Sequence, residues 1–195
     1  DLILRAKPGA GSAATLTARA DAFGSELSRQ IGRNIYSTSE RTLEETVGDM
    51  LAGRGATVAV AESLTGGLLG KRLTDVPGSS RYVLADVVAY SNESKVEFLG
   101  VSREVLETWG AVSEAVCREM AGGIRARTGA TYGLATTGIA GPAGGTAEKP
   151  VGLCYYGLSG PDGTDVRRRV FAGSREDVRE RVVWAVLFLL YETLR

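Results

Sequence analysis

No histidine occurs in the 195 residues, which removes three chemistries at once: the Ser-His-Asp triad, imidazole metal ligation and the imidazole proton shuttle. Any acid or base must come from Lys, Tyr, Asp or Glu. Cysteine is nearly as scarce. Cys117 and Cys154 lack CxxC spacing and sit in apolar or amphipathic surroundings, which suits reduced core residues and a cytoplasmic chain better than a disulfide or a metal site. Charge of one sign is not in excess either, because 23 Lys plus Arg balance 23 Asp plus Glu. No positive field is then available for a nucleic-acid backbone, and direct nucleic-acid binding is not expected. A long hydrophobic run is missing too. The longest, Val182 to Leu190 between Arg181 and Glu192, is about half of the ~20 residues a membrane span needs, so it is expected as a core helix.

What is present divides in two. An extended opening over Leu2 to Ala6, a turn cluster from Pro8 to Ser12 and a helix over about 14–32 cannot close a core by themselves. Without an initiator Met, residues 1–38 read as the remnant of a preceding domain or a docking arm. Residues 39–195 read as the main domain. It opens on Thr42-Leu43-Glu44-Glu45, whose Thr and Glu have capping-box spacing for a helix ending near Gly53 to Gly55. Strands are predicted over 57–62, 82–90, 131–137, 151–158 and 165–171. Helices are predicted over 65–73, 93–99, 102–109, 113–127 and 174–194. Strands separated by helices early and adjacent strands late imply an α/β fold, a three-layer α/β/α sandwich around a mixed sheet.

Four stretches at predicted strand ends carry polar chemistry. Ala61-Glu62-Ser63-Leu64-Thr65-Gly66-Gly67 places Ser63 where a strand hands over to a helix. Ser63 or Thr65 as a helix cap and Ser63 as a nucleophile, with the Gly66 and Gly67 amides at an oxyanion, both fit. A phosphate-binding P-loop does not fit, since Thr65 and Arg72 stand where it needs Gly and Ser or Thr, and the glycines of a hydrolase nucleophile elbow are missing. Tyr90-Ser91-Asn92-Glu93-Ser94-Lys95 offers Lys95 either as a solvated first-turn residue of a helix capped by Asn92 or as a base. The second role needs burial, because bringing its pKa from about 10.4 to about 7–8 costs about 1.36 kcal/mol per unit. Thr136-Thr137-Gly138 and the glycines after it suggest a binding loop. Arg175 and Arg179, four apart on one helix face, suit either a phosphate or solvent.

Ala61 to Gly67, Val88 to Lys95, Gly110 to Glu114, Thr137 to Pro142 and Lys149 to Gly152, taken in order, resemble the C-terminal domain of the competence- and damage-inducible CinA family. The resemblance runs from about Leu43 to the C-terminus, and residues 1–40 resemble the end of the domain preceding it in longer members. It implies an amidohydrolase, often dimeric and without a metal or cofactor, that converts nicotinamide mononucleotide to nicotinate mononucleotide and ammonia in pyridine-nucleotide salvage. By the matching motifs Ser63 would be the nucleophile, Lys95 its base, and Tyr90 and Asn92 their orienting groups. Gly66 and Gly67 would receive the oxyanion, while Thr65, Thr137, Gly138, Arg175 and Arg179 would hold the nucleotide. Leu64 and Ser94 depart from the family's usual cysteine and alanine, and Ser94 adds a second hydroxyl beside the lysine. The competing expectation is a non-catalytic nucleotide-binding module linked to competence or DNA damage.

Overall fold

A computed structural model describes residues 12–195; the expected opening strand over Leu2 to Ala6 and most of the Pro8 turn cluster lie outside the described residues. The described residues divide into two units, one ending at Arg41 and the other spanning Thr42–Arg195. In the first, helix α1 (Ala13–Ile31) begins where Ser12 Oγ accepts the Thr15 N–H, a cap that satisfies one of the first-turn donors.

The second unit begins with α2 (Leu43–Arg54), whose capping box forms as the Thr42–Glu45 spacing predicts: Thr42 Oγ1 accepts from Glu45 N, and Glu45 Oε2 accepts from Thr42 N. Next come β1 (Val58–Glu62), α3 (Leu68–Thr74), β2 (Val83–Val88), α4 (Asn92–Leu99), α5 (Arg103–Trp109), α6 (Glu114–Thr128), β3 (Tyr132–Gly138), β4 (Leu153–Gly160), β5 (Gly163–Val170) and α7 (Arg175–Thr193). The five strands form one mixed sheet in the order β2-β1-β3-β4-β5, parallel from β2 to β3 and antiparallel from β3 to β5. Central β1 is buried at all five positions, as a strand covered on both faces requires.

Helices pack on both faces. α4, α5 and α6 cover one, where Met120, Ala121 and Ile124 meet Ala59, Ala61 and Ala135. Small strand residues there let α6 lie close. α2, α3 and α7 form the other layer, with Val182, Val183, Val186 and Leu190 of α7 buried. Burial pushes the Cys117 thiol well up and the Cys154 thiol up to about 12, so both are unreactive core residues. The run from Val182 to Leu190 is thus part of a core helix, and among the described residues no helix is long and apolar enough to cross a membrane.

Connectivity singles out one edge of the sheet. The chain leaves β1 for β2 on one side and returns to β3 on the other, so the carboxyl ends of β1 and β3 lie side by side at a switch point, where α/β sheets hold ligands. Ser63 and Thr136 to Gly138 are the residues placed there.

The closeness of α6 to the C-terminus of α4 yields a paired prediction. A Cβ on Gly123 would land on the Leu99 carbonyl, whereas one on Gly122 would meet nothing within 4 Å. Chemical denaturation should show Gly123→Ala destabilised by about 1–3 kcal/mol and Gly122→Ala unchanged or stabilised by about 0.5–1 kcal/mol, since both positions are helical. Equal effects at the two positions would mean that α6 does not approach α4 in this way.

Candidate active site

β1 ends in a glutamate, and that residue organises the turn after it. Glu62 is fully buried; its Oε2 accepts the Gly67 N–H at 2.9 Å and its Oε1 accepts the Gly70 N–H at 2.7 Å. A buried carboxylate is tolerable only with such partners, and these fold the chain from Ser63 to Gly67 into a tight turn. Gly66 and Gly67 carry the turn at φ 60° and 90°, a region that favours glycine. α3 consequently starts at Leu68 and not at Thr65. Its N-terminal flank is Gly67, with no side-chain cap, so neither Ser63 nor Thr65 caps a helix.

Two further contacts hold the turn. Thr65 Oγ1 lies 2.7 Å from Thr136 Oγ1 in a buried pair, and Arg179 directs Nε (3.2 Å) and Nη2 (2.6 Å) onto the Thr65 carbonyl. Ser63 N–H donates to Thr136 O at 3.0 Å, extending the β1/β3 ladder by one rung. The Ser63 side chain is left to project from the carboxyl edge of the sheet.

Lys95 comes from α4. Ser91, not Asn92, caps that helix: Ser91 Oγ accepts from Ser94 N and Ser94 Oγ accepts from Ser91 N. The lysine is only 1% exposed, and its Nζ turns back to the strand end. It donates to Ala89 O (2.8 Å), Tyr90 O (3.3 Å) and Ser91 O (3.4 Å), and lies 3.2 Å from Ser63 Oγ. Burial pushes its pKa down to about 8, with the charge of Glu93 opposing the shift. A neutral amine here can direct its two N–H bonds at the carbonyls and its lone pair at the serine hydroxyl. The separation is within hydrogen-bond reach for proton transfer.

The remaining expected residues distribute unevenly. The Tyr90 ring is exposed, and its hydroxyl accepts from Arg175 Nη2 at 3.1 Å, so it is the Tyr90 carbonyl, not the phenol, that meets Lys95. Asn92 is exposed, and among the described residues its side chain bonds to neither Ser63 nor Lys95. Ser94 Oγ is engaged with Ser91. Thr137 is buried with its hydroxyl on Ala111 O at 2.8 Å, which ties the Gly110 to Glu114 stretch to the end of β3. Gly138 ends β3, where a Cβ would lie 2.6 Å from the Leu153 carbonyl oxygen. Arg175 Nη1 donates to Gly141 O at 2.9 Å, so Arg175 joins the glycine loop to Tyr90 across the crevice.

The Gly66 and Gly67 amides, expected at an oxyanion, are already engaged: Gly66 N–H donates to Ser63 O at 3.2 Å and Gly67 N–H to Glu62. Within the turn from Ser63 to Gly67, it is the N–H groups of Leu64 and Thr65 that have no acceptor among the described residues. Glu62 is the residue that sequence reasoning missed. A carboxylate closing an otherwise apolar strand, directly before a glycine turn, is the signal that could have found it. Nearby Asp86 stands against Gly70, and its pKa is pushed up to about 7, first by burial and then by Glu62. Among the described residues no group of three or more His, Cys, Asp or Glu is disposed to hold a metal ion.

Comparison with known proteins gives a consistent set of relatives. The family model for the CinA C-terminal domain matches residues 40–194. A putative competence-damage inducible protein of Moorella thermoacetica is 48% identical over 169 residues, covering 87% of this chain and 41% of that protein. A CinA-like protein of Desulfosudis oleivorans is 49% identical over 169 residues, covering 87% and 40%. The chain thus spans about two fifths of the length of the curated relatives it matches. Among solved structures, a CinA superfamily protein from Klebsiella pneumoniae superposes with a TM-score of 0.75 at 34% identity, over 78% of this chain and 95% of that one. A competence/damage inducible protein from Agrobacterium tumefaciens gives 0.72 at 36% identity, over 79% and 97%.

Burial of Lys95 has a direct spectroscopic consequence. Its 13Cε resonance should titrate near 8, well below the ~10.4 of a solvated lysine. Over that window the unfolded chain holds more protons than the folded one, so the destabilisation from burying this group lessens as pH rises from about 8 to about 10.4. A Lys95 signal titrating together with the solvated lysines would show that the amine is not desolvated.

Proposed function

Because the chain belongs to the CinA C-terminal domain family, we propose that it is an amidohydrolase of nicotinamide mononucleotide, releasing nicotinate mononucleotide and ammonia, with Ser63 as nucleophile and Lys95 as base. The observation that carries this reading is the buried amine 3.2 Å from Ser63 Oγ, with its pKa lowered to about 8. In a chain without histidine, a desolvated lysine is a base matched to neutral pH.

Lys95, as the free amine, accepts the Ser63 hydroxyl proton while Oγ adds to the carboxamide carbon. The electron pair displaced onto the carbonyl oxygen makes an oxyanion. The unengaged N–H groups of Leu64 and Thr65 are its donors, taking the place first expected for Gly66 and Gly67. When the carbonyl re-forms, the C–N bond breaks, the Lys95 ammonium returns the proton to the departing nitrogen, and ammonia leaves. Water, deprotonated by the same amine, then opens the ester on Ser63. The carboxylate product departs and the hydroxyl is restored.

A phosphate against Lys95 would stabilise its ammonium form and defeat this role, so the phosphate sits elsewhere. Arg175 is the better partner, because Arg179 is committed through two nitrogens to Thr65 O. A second reading rests on the three carbonyl oxygens around Lys95 Nζ: they also suit an ammonium, and a permanently charged lysine would leave a nucleotide-binding module without catalysis.

Ammonia release from nicotinamide mononucleotide separates the two. Ser63→Ala and Lys95→Ala should each lower kcat by about 10²–10⁴-fold with little change in KM. Arg175→Ala should raise KM by about tenfold with kcat nearly held. In the wild type, kcat/KM should climb with pH through about 8 as Lys95 loses its proton. Full ammonia release by Ser63→Ala, or a Lys95→Ala defect confined to KM, would refute the assignment.

A further inference from the structure

Away from the candidate active site, the two faces of the sheet are covered unequally. α6 reaches β5 on one face, and Val166 packs into that core. On the other face α7 lies over β3 and β4, and the β5 residues turned that way, Arg167 and Arg169 with Phe171 just beyond, form the floor of a cleft. Tyr156, paired across the ladder with Arg167, completes it. Arg181, Trp184 and Phe188 of α7 make the facing wall, and the cavity between them is about 510 Å³. That is within the ~300–1,000 Å³ of small-molecule sites.

The chemistry of the lining is specific. Tyr156 and Phe171 are buried although they floor an open cleft, and their ring centroids are 6.5 Å apart. Arg167 is neutralised by Asp165 and Glu192, and Glu180, which also borders the cleft, is paired with Arg72. Arg169 differs. Among the described residues it has no carboxylate or hydrogen-bond partner, and its guanidinium carbon is held 5.3 Å from the Phe171 ring centroid. Arg181 donates from Nη1 to Ala172 O (2.8 Å) and lies within electrostatic reach of Asp177. Two guanidinium groups from different elements, Arg169 with no carboxylate among the described residues and Arg181 with only the exposed Asp177 of its own helix, therefore face one aromatic-walled cavity, the pairing that recognises a planar group carrying a phosphate or carboxylate.

We propose that this cleft is a second binding site, distinct from the Ser63 crevice, for a small aromatic anion of the nucleoside-phosphate class. Its ring packs against Phe171 and Trp184, and its phosphate is received by Arg169 and Arg181. None of these residues belongs to the proposed catalytic set, so the site stands or falls independently of the amidohydrolase reading.

The chain has two tryptophans, so Trp109→Phe leaves Trp184 as the sole indole reporter. Titrated with adenosine 5′-monophosphate, this variant should show saturable quenching at millimolar concentration or below. Adenosine alone and inorganic phosphate alone should bind at least about tenfold more weakly. Arg169→Ala and Arg181→Ala, both at exposed positions and checked for folding by circular dichroism, should each weaken the nucleotide about tenfold or more, whereas Arg175→Ala should leave it unchanged. The proposal is overturned by absence of saturable quenching, by unchanged affinity in both arginine variants, or by loss of quenching in Arg175→Ala. It is equally overturned if sedimentation shows a dimer that Trp184→Ser dissociates, since a second copy would then occupy the cleft.

Discussion

Lys95 Nζ lies 3.2 Å from Ser63 Oγ with 1% of the lysine exposed, and the surrounding fold serves to keep an amine in that unfavourable place. Burying an ammonium without an anion is costly, and here three backbone carbonyls take the role a carboxylate would otherwise play. Carbonyl dipoles satisfy the amine's donors without adding a full negative charge that would hold its proton. A neighbouring Asp or Glu would hold the lysine protonated; carbonyls leave it within reach of neutrality near pH 8. The Ser91–Ser94 capping box makes the arrangement possible, because it sets the direction in which α4 leaves β2 and so aims the lysine back at Ala89 and Tyr90.

The other half of the pair depends on a buried anion. Glu62, the Thr65–Thr136 hydroxyl pair and Arg179 hold the Ser63 turn from three sides. Engagement of the Gly67 and Gly70 amides by Glu62 leaves the Leu64 and Thr65 amides as the open donors beside the serine. The glycines therefore serve the backbone path of the turn, through positive φ at Gly66 and Gly67, more than they serve as ligand donors. Arg179 belongs with this framework, while Arg175 bridges the crevice through contacts that a ligand can displace.

Much of this was legible in the sequence, and the failures have physical reasons. Capping spacing located α2, and the alternation of strands and helices announced a mixed sheet covered on both faces. Reading strand ends marked the Ser63, Lys95 and Thr136 to Gly138 stretches as polar, while the pairing of Ser63 with Lys95 was implied by the family resemblance. Local signals failed where tertiary partners decide. Gly66 and Gly67 looked like free amides because their acceptors, the Ser63 carbonyl and the Glu62 carboxylate, reach them within a turn that periodicity does not reveal. The start of α3 moved to Leu68 for the same reason. At α4 the expected cap, Asn92, gives way to Ser91, because Ser94 at the third helical position completes a capping box with it. The cleft beside β5 was invisible, because the Arg167-Arg168-Arg169 run alternates between faces and only the position of α7 shows which of these arginines face Trp184.

The central claim is that an uncharged Lys95 activates Ser63, and chemical labelling tests it without reference to any substrate. A fluorophosphonate reagent, followed by peptide mapping, should modify Ser63 at a rate that rises with pH through about 8 and falls by at least about a hundredfold in Lys95→Met. Labelling of Ser63 that ignores pH across this range, or that proceeds equally well without the lysine, would contradict the account.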